Sequence, residues 1–176
     1  MTGPVKSIVM RILGIDPGTV AMGYGVIDDR NGEVFMVDCG VITAPARASI
    51  GERLSFLYRH LVEIITRHGP DVVAVEQPFL AKNVKSAIAI GQAQAIAMLA
   101  ASNQNIAVHG YTPTQVKQKV ANYGNSSKEQ VQEMVRLHLG LTEVPRPSDV
   151  SDALAVALCH CSETHLANLL ARQKER

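Results

Sequence analysis

Tryptophan is absent, and aromatic residues make up only 4% of the 176-residue chain. The core must therefore be aliphatic, built from Ala, Val, Ile and Leu. Cysteine is scarce too. Cys39, Cys159 and Cys161 are an odd number without CxxC spacing, which argues against a disulfide framework and reads as a reducing, cytosolic setting. No apolar run reaches the roughly 18 residues of a membrane span. The short apolar stretch near the N-terminus has no cleavage site and continues into a strand pattern, so no signal peptide is expected. Net charge is +1, so bulk charge names no partner. Locally, one sign of charge is missing. From Gln77 to Lys128 there is no Asp or Glu, yet Lys82, Lys85, Lys117, Lys119 and Lys128 all fall there. A solvated face mixes signs. A stretch with positive charge alone fits a polyanion lying across it, against chance clustering in an Ala-rich region.

The common phosphate-binding and hydrolase motifs are missing as well. There is no GxxxxGK and no GxGxxG, which sets aside a P-loop or a dinucleotide site. No GxSxG elbow is present. Asp16-Pro-Gly-Thr19 resembles the first phosphate loop of the actin and sugar-kinase group, but that group needs two domains, which 176 residues can hardly hold. The six histidines form no HExxH pattern, and most are expected at the surface or the core edge. Cys159-His160-Cys161 lies in a helical pattern where i and i+2 face apart, so buried thiols are expected there rather than a metal cluster.

What is present reads as one α/β domain. Residues 11–16, 23–29 and 33–42 are strand candidates, the last two joined as a hairpin through Asp29-Arg30-Asn31-Gly32. Ser49 and Glu52 form a capping box before a helix reaching Gly69-Pro70. Residues 72–76 and 106–111 are further strands, separated by an Ala-rich helix over 84–102. Thr112-Pro113 opens a short helix to about Asn122. Ser126 and Glu129 form a second capping box for a helix to Leu139, and a last helix runs from about Asp149 to Leu170.

Two strands end in acids, Ile15-Asp16 and Val75-Glu76, where α/β sheets place their ligands. Asp149 and Asp152 share one face of a helix first turn. A helix cap accounts for Asp149 alone; it accounts neither for Asp152 nor for the strand-end acids. Four converging carboxylates repel, and hard divalent ions with oxygen ligands are the remedy, Mg²⁺ or Mn²⁺. Phe79, three residues after Glu76, is either a core residue or a stacking wedge at the mouth of the site.

Taken in order, Leu13-Gly-Ile-Asp16-Pro-Gly-Thr19 with Gly23-Tyr-Gly25, Val75-Glu76-Gln-Pro-Phe79 with Ala81-Lys-Asn83, Thr112-Pro-x-x-Val-Lys117, Ser127-Lys128-x-Gln130-Val-x-x-Met134-Val and Asp149-x-x-Asp152-Ala-Leu-Ala155 resemble the RuvC crossover-junction endodeoxyribonucleases. The resemblance covers about Arg11 to Cys161. It implies an RNase H-like fold, with a mixed five-stranded sheet flanked by helices in one domain. It also implies a cytoplasmic bacterial homodimer that resolves Holliday junctions in recombination and repair, leaving 5′-phosphate ends. Mg²⁺ is the implied cofactor, two ions per site, with Mn²⁺ as substitute. A branch-migration complex of the RuvA–RuvB type is the implied partner beside four-way junction DNA. Carried over by motif, Asp16, Glu76, Asp149 and Asp152 are the catalytic and metal-binding acids. Asp16 would bridge the ions, Glu76 and Asp152 would each hold one, and Asp149 either ligates or orients the water. Phe79 is the aromatic placed against junction bases, and Lys117 and Lys128 are basic residues near the DNA. Lys82, Lys85 and Lys119 are counted with them from the positive stretch. Residues 1–9 precede the family's usual start and read as an extension or vector remnant. The nuclease domain then spans 10–170, with a charged tail over 171–176. Val20-Ala-Met22 is more apolar than the polar loop expected there. The rival readings are another RNase H-type nuclease acting on RNA or hybrids, a junction-binding scaffold without catalysis, and a small phosphate-loop ATP-binding protein.

Overall fold

The computed structural model describes residues 9–77 and 84–174. Ten elements follow one another: β1 (Val9–Asp16), β2 (Ala21–Arg30), β3 (Glu33–Thr43), α1 (Ile50–His68), β4 (Val72–Glu76), α2 (Val84–Ser102), β5 (Ala107–Tyr111), α3 (Pro113–Ala121), α4 (Lys128–His138) and α5 (Ser148–Lys174). The strands form one sheet in the order β3-β2-β1-β4-β5. β1, β2 and β3 run antiparallel, whereas β4 lies parallel to β1 and β5 parallel to β4. This is the expected mixed five-stranded sheet in a single domain.

Local chemistry explains the elements. β2 and β3 are joined through Asn31 and Gly32, both at positive φ (56° and 100°), as a two-residue turn that matches strand twist requires. The Ser49 side chain accepts from the Glu52 amide while the Glu52 carboxylate accepts from the Ser49 amide, and α1 ends at Gly69 in the left-handed region. Thr112 and Gln115 cap α3 in the same way.

Alternation along the strands divides the core in two. Leu13, Ile15, Val26, Val73 and Val75 face α1 and α2. Ile12, Ile27, Val72 and Ala74 face the other way, toward α3, α4 and above all α5. The 27-residue α5 crosses β1 and β2 at backbone distance. A Cβ at Gly14 would come within 2.1 Å of the Ala153 carbonyl, and one at Gly23 within 2.1 Å of the Asp149 carbonyl. These two glycines let the first turns of α5 settle onto the sheet.

Several element boundaries differ from the sequence reading, β1 starting at Val9 and β2 reaching from Ala21 to Arg30 among them. The cap of α4 is the Ser127–Gln130 pair, not Ser126–Glu129. Ser126 is buried and donates its hydroxyl to the Tyr123 carbonyl at 2.7 Å instead. α5 continues past 170 to Lys174, into the segment read as a tail. α2, interrupted by Lys85, Gln92 and Gln94, contains no unbroken apolar run of membrane-span length, although it is long and apolar enough to cross a membrane by length and composition alone. Its Ala93, Ala97, Ala100 and Ala101 are buried in the core shared with α1 and β4, so the helix already has a use in the fold.

Candidate active site

Register and pleat bring the acids together. Asp16 lies two residues after Gly14 on β1, so it points to the α5 face. Glu76 lies two residues after Ala74 on β4 and points to the same face. The two strands are parallel neighbours with Ile15 opposite Val75, so both carboxylates emerge side by side at one sheet edge. α5 then supplies Asp149 and Asp152 from its first turns, seated at that edge by the close approach over Gly23.

The electrostatics follow from that crowding. Burial, the fields of Glu76, Asp152 and Asp149, and a hydrogen bond with Glu76 push the Asp16 carboxyl up to about 8. Burial raises Glu76 as well. Its hydrogen bond with Asp16 and the nearby Lys128 and Lys117 pull the other way, while Asp152 adds to the rise. Asp152 is raised by burial and by Asp149, although Lys128 counteracts both. Crowding and burial therefore favour the protonated form at the Asp16–Glu76 pair. A cluster of this kind calls for positive charge, and its donors are oxygen only, which suits a hard divalent ion. Within the protein that charge is partly supplied by Lys128, whose Nζ donates to Asp152 Oδ2 at 2.7 Å.

Lys117 joins Lys128 here. Both line a groove of about 270 Å³ together with Glu76, Asp152, Pro113 and Val116. Lys119 goes elsewhere: its Nζ lies 2.8 Å from Glu163 on α5, and it lines a separate cavity with His138 and Cys161. A spacing of two residues on α3 turns Lys117 and Lys119 to different faces, a signal that sequence alone carries. Lys85 sits in the first turn of α2. Phe79 and Lys82 lie outside the described residues. Cys159 and Cys161 are buried free thiols, as expected of the helical pattern. His160 is buried, with 6% of its surface exposed.

The fold and sequence have close counterparts. The family model described as "Crossover junction endodeoxyribonuclease RuvC" matches residues 12–160. A protein of that name from Dehalococcoides mccartyi is 53% identical over 163 residues, covering 93% of this chain and 98% of its own length. One from Chloroflexus aurantiacus is 52% identical over 151 residues, covering 86% and 92%. The structure of Thermus thermophilus RuvC in complex with a Holliday junction substrate superposes with a TM-score of 0.85 at 34% identity, covering 90% of this chain and 96% of that one. The match by sequence spans the strands that carry Asp16 and Glu76 and the helix that carries Asp149 and Asp152, and the chain belongs to the RuvC family of crossover junction endodeoxyribonucleases.

Proposed function

We infer that this protein is a metal-dependent endonuclease that resolves Holliday junctions in recombination and repair, with Asp16, Glu76, Asp149 and Asp152 as its catalytic acids. The observation that carries the assignment of residues is the convergence of these acids at one sheet edge, beside a groove lined by Lys117 and Lys128. Family membership supports the substrate.

Asp16, Glu76 and Asp152 would hold two divalent ions, with Mg²⁺ the proposed species and Mn²⁺ an alternative, since hard cations take carboxylate oxygen. When bound, the ions supply activation of water and stabilisation of the leaving 3′ oxygen, which leaves a 5′ phosphate. Asp16 is central, with Glu76 in hydrogen-bond contact and Asp152 and Asp149 acting on it from α5, so it would take part in holding both ions. Asp149 shares the helix face of Asp152 and either completes the set or orients the attacking water. Lys117 and Lys128 receive the phosphates flanking the scissile bond. Their charge offsets the repulsion between a carboxylate site and a polyanion.

Two such sites are needed for the two strands of a junction, and a homodimer is the proposed assembly. The support lies on α2. Val84, Ile88, Met98 and Leu99 are exposed there, and among the described residues a Cβ at Gly91 would meet nothing within 4 Å. A bacterial cytoplasmic setting and a branch-migration partner of the RuvA–RuvB type rest on family membership alone.

The deciding experiment compares a four-way junction, a linear duplex and an RNA–DNA hybrid, each with Mg²⁺ and with a chelator. Junction cleavage alone, abolished by chelation, is expected. Asp152→Asn should reduce cleavage by roughly 10²-fold or more, a usual loss for a positioned electrostatic group, while junction binding survives. Preferred cleavage of the hybrid, or near-normal cleavage by Asp152→Asn, would overturn the reading.

A further inference from the structure

The far end of the sheet holds a second group of metal-ligand types that the proposed chemistry does not use. Asp29, Cys161 and His165 each offer a ligand atom, and these atoms all lie within 4.8 Å of one another. Asp16 pairs with Gly23 in the β1–β2 ladder, while Asp29 pairs with Met10 at its other end. Six strand positions separate the two places, about 20 Å.

Each donor is brought there by a different feature of the fold. Asp29 lies two residues after Ile27 on β2, so its side chain faces α5, and it is buried. Its Oδ1 accepts from the Gly32 amide at 2.8 Å within the β2–β3 turn. Oδ2 lies 2.5 Å from His165 Nε2. Cys161 and His165 are four residues apart on α5, so they share one helix face. The buried Cys161 thiol lies beside Asp29, and burial together with the charge of Asp29 raises its pKa. The His165 ring lies against Gly32, where a Cβ would approach its Cε1 at 3.4 Å. Beside the group is a cavity of about 460 Å³, lined among others by Phe35, Lys119, His138, Cys161 and His165. Water can reach the group from that side.

We propose that Asp29, Cys161 and His165 form a binding site for a zinc-class divalent ion, with water from the cavity as fourth ligand, clamping α5 to the β2–β3 hairpin. The donor chemistry selects the ion. A thiolate, an imidazole and a carboxylate suit zinc and its substitute cobalt, and not the hard ions proposed for the carboxylate site. A tetrahedral ion spaces such donors roughly 3.3–3.8 Å apart, given bond lengths of about 2.0–2.3 Å, which a group confined within 4.8 Å accommodates by small side-chain rotations. Binding balances simply. The metal–sulfur bond replaces the thiol S–H, whose proton is released to solvent, and metal at His165 Nε2 leaves the single ring proton on Nδ1. Asp29 keeps the hydrogen bond from Gly32 through its other oxygen, which fixes the carboxylate from behind.

The test uses the full-length protein, freed of metal and titrated with Co²⁺. A thiolate–cobalt charge-transfer band in the near ultraviolet is expected at one ion per chain. The carboxylate site has no sulfur and cannot give that band, so the band should persist in Asp152→Asn. His165→Gln, at a partly exposed position, should lose the band or bind Co²⁺ at least tenfold more weakly. Zn²⁺ should raise the melting temperature of wild type and leave that of His165→Gln unchanged. Absence of the band in folded wild-type protein, or a band indifferent to His165→Gln, would show that the three residues form only a hydrogen-bonded cluster. Either result leaves junction cleavage unaffected, so it is separable from failure of the nuclease reading.

Discussion

Lys128 Nζ donates to Asp152 Oδ2 at 2.7 Å, joining the first residue of α4 to the first turns of α5 across 24 positions of sequence. Partial burial opposes the lysine's charge. The hydrogen bond to Asp152 and the fields of Asp152, Asp16 and Asp149 outweigh it and hold the pKa above the usual lysine range. The ammonium is thus part of the charge balance of the acid cluster. A divalent ion taking up Asp152 must compete with it.

That competition predicts opposite effects on metal and DNA in Lys128→Gln. One positive charge about 4 Å away in a water-exposed groove repels an incoming divalent cation by roughly 2 kcal/mol. The Mg²⁺ concentration giving half-maximal cleavage should therefore fall by roughly tenfold or more. Junction affinity should weaken, with the salt slope shallower by about 1, as expected when one phosphate contact is lost. Cleavage titrations and binding isotherms at several salt concentrations check both. An unchanged Mg²⁺ requirement would mean that Lys128 leaves Asp152 before the metal arrives.

The second prediction concerns His160, buried on α5 against β5. Tyr111 Oη lies 2.6 Å from its Nδ1, and the His109 ring is 4.8 Å away. Burial first, and His109 next, lower its pKa to about 4. The unfolded chain takes up a proton near pH 6.5 while the folded one resists until about 4, so stability must fall as pH drops through that window. The full effect is ~3 kcal/mol, nearer 2 once solvent screening is allowed for. Urea midpoints between pH 7 and pH 4.5 should show this decline, and His160→Gln should flatten it. An equal decline in the variant would place the acid sensitivity elsewhere.

The particular residues show why some of this was legible in sequence and some was not. Asp16 and Glu76 could be read because strand pleat and strand ends are periodic properties, and Asp149 and Asp152 because i and i+3 share a helix face. The helix caps at Ser49 and Thr112 were visible as local patterns. At α4 the cap read at Ser126 and Glu129 falls one residue later, because the Ser126 hydroxyl bonds the Tyr123 carbonyl and Ser127 pairs with Gln130. The Lys128–Asp152 contact depends on how α4 packs against α5, which no local pattern encodes. Lys119 was grouped with Lys117 by composition, although helical period separates them, and its partner Glu163 lies on α5. The run Cys159-His160-Cys161 drew attention to adjacent residues. The meaningful spacing was Cys161 to His165, and its third member, Asp29, stands 136 positions before His165.

The last prediction concerns the pairing of sites. On α2, Val84, Ile88, Gly91, Ala95 and Met98 recur at helical period along a side that the fold leaves open, with Ile88 57% and Val84 73% exposed. Ala93, Ala97 and Ala100 occupy the opposite, buried side. Among the described residues a Cβ at Gly91 would meet nothing within 4 Å, so packing there does not require a glycine; a close-approaching partner helix gives it a use. Ala95→Arg should therefore convert a dimer to a folded monomer, measured by light scattering and circular dichroism. A junction has two equivalent strands to cut, and a monomer should nick one and leave the other intact. The same logic governs a mixed dimer of wild type and Asp16→Asn: on a cruciform plasmid it should give nicked circles and no linear product. Linear product from the mixed dimer, or a monomeric mass for fully active wild type, would contradict paired cleavage by two chains.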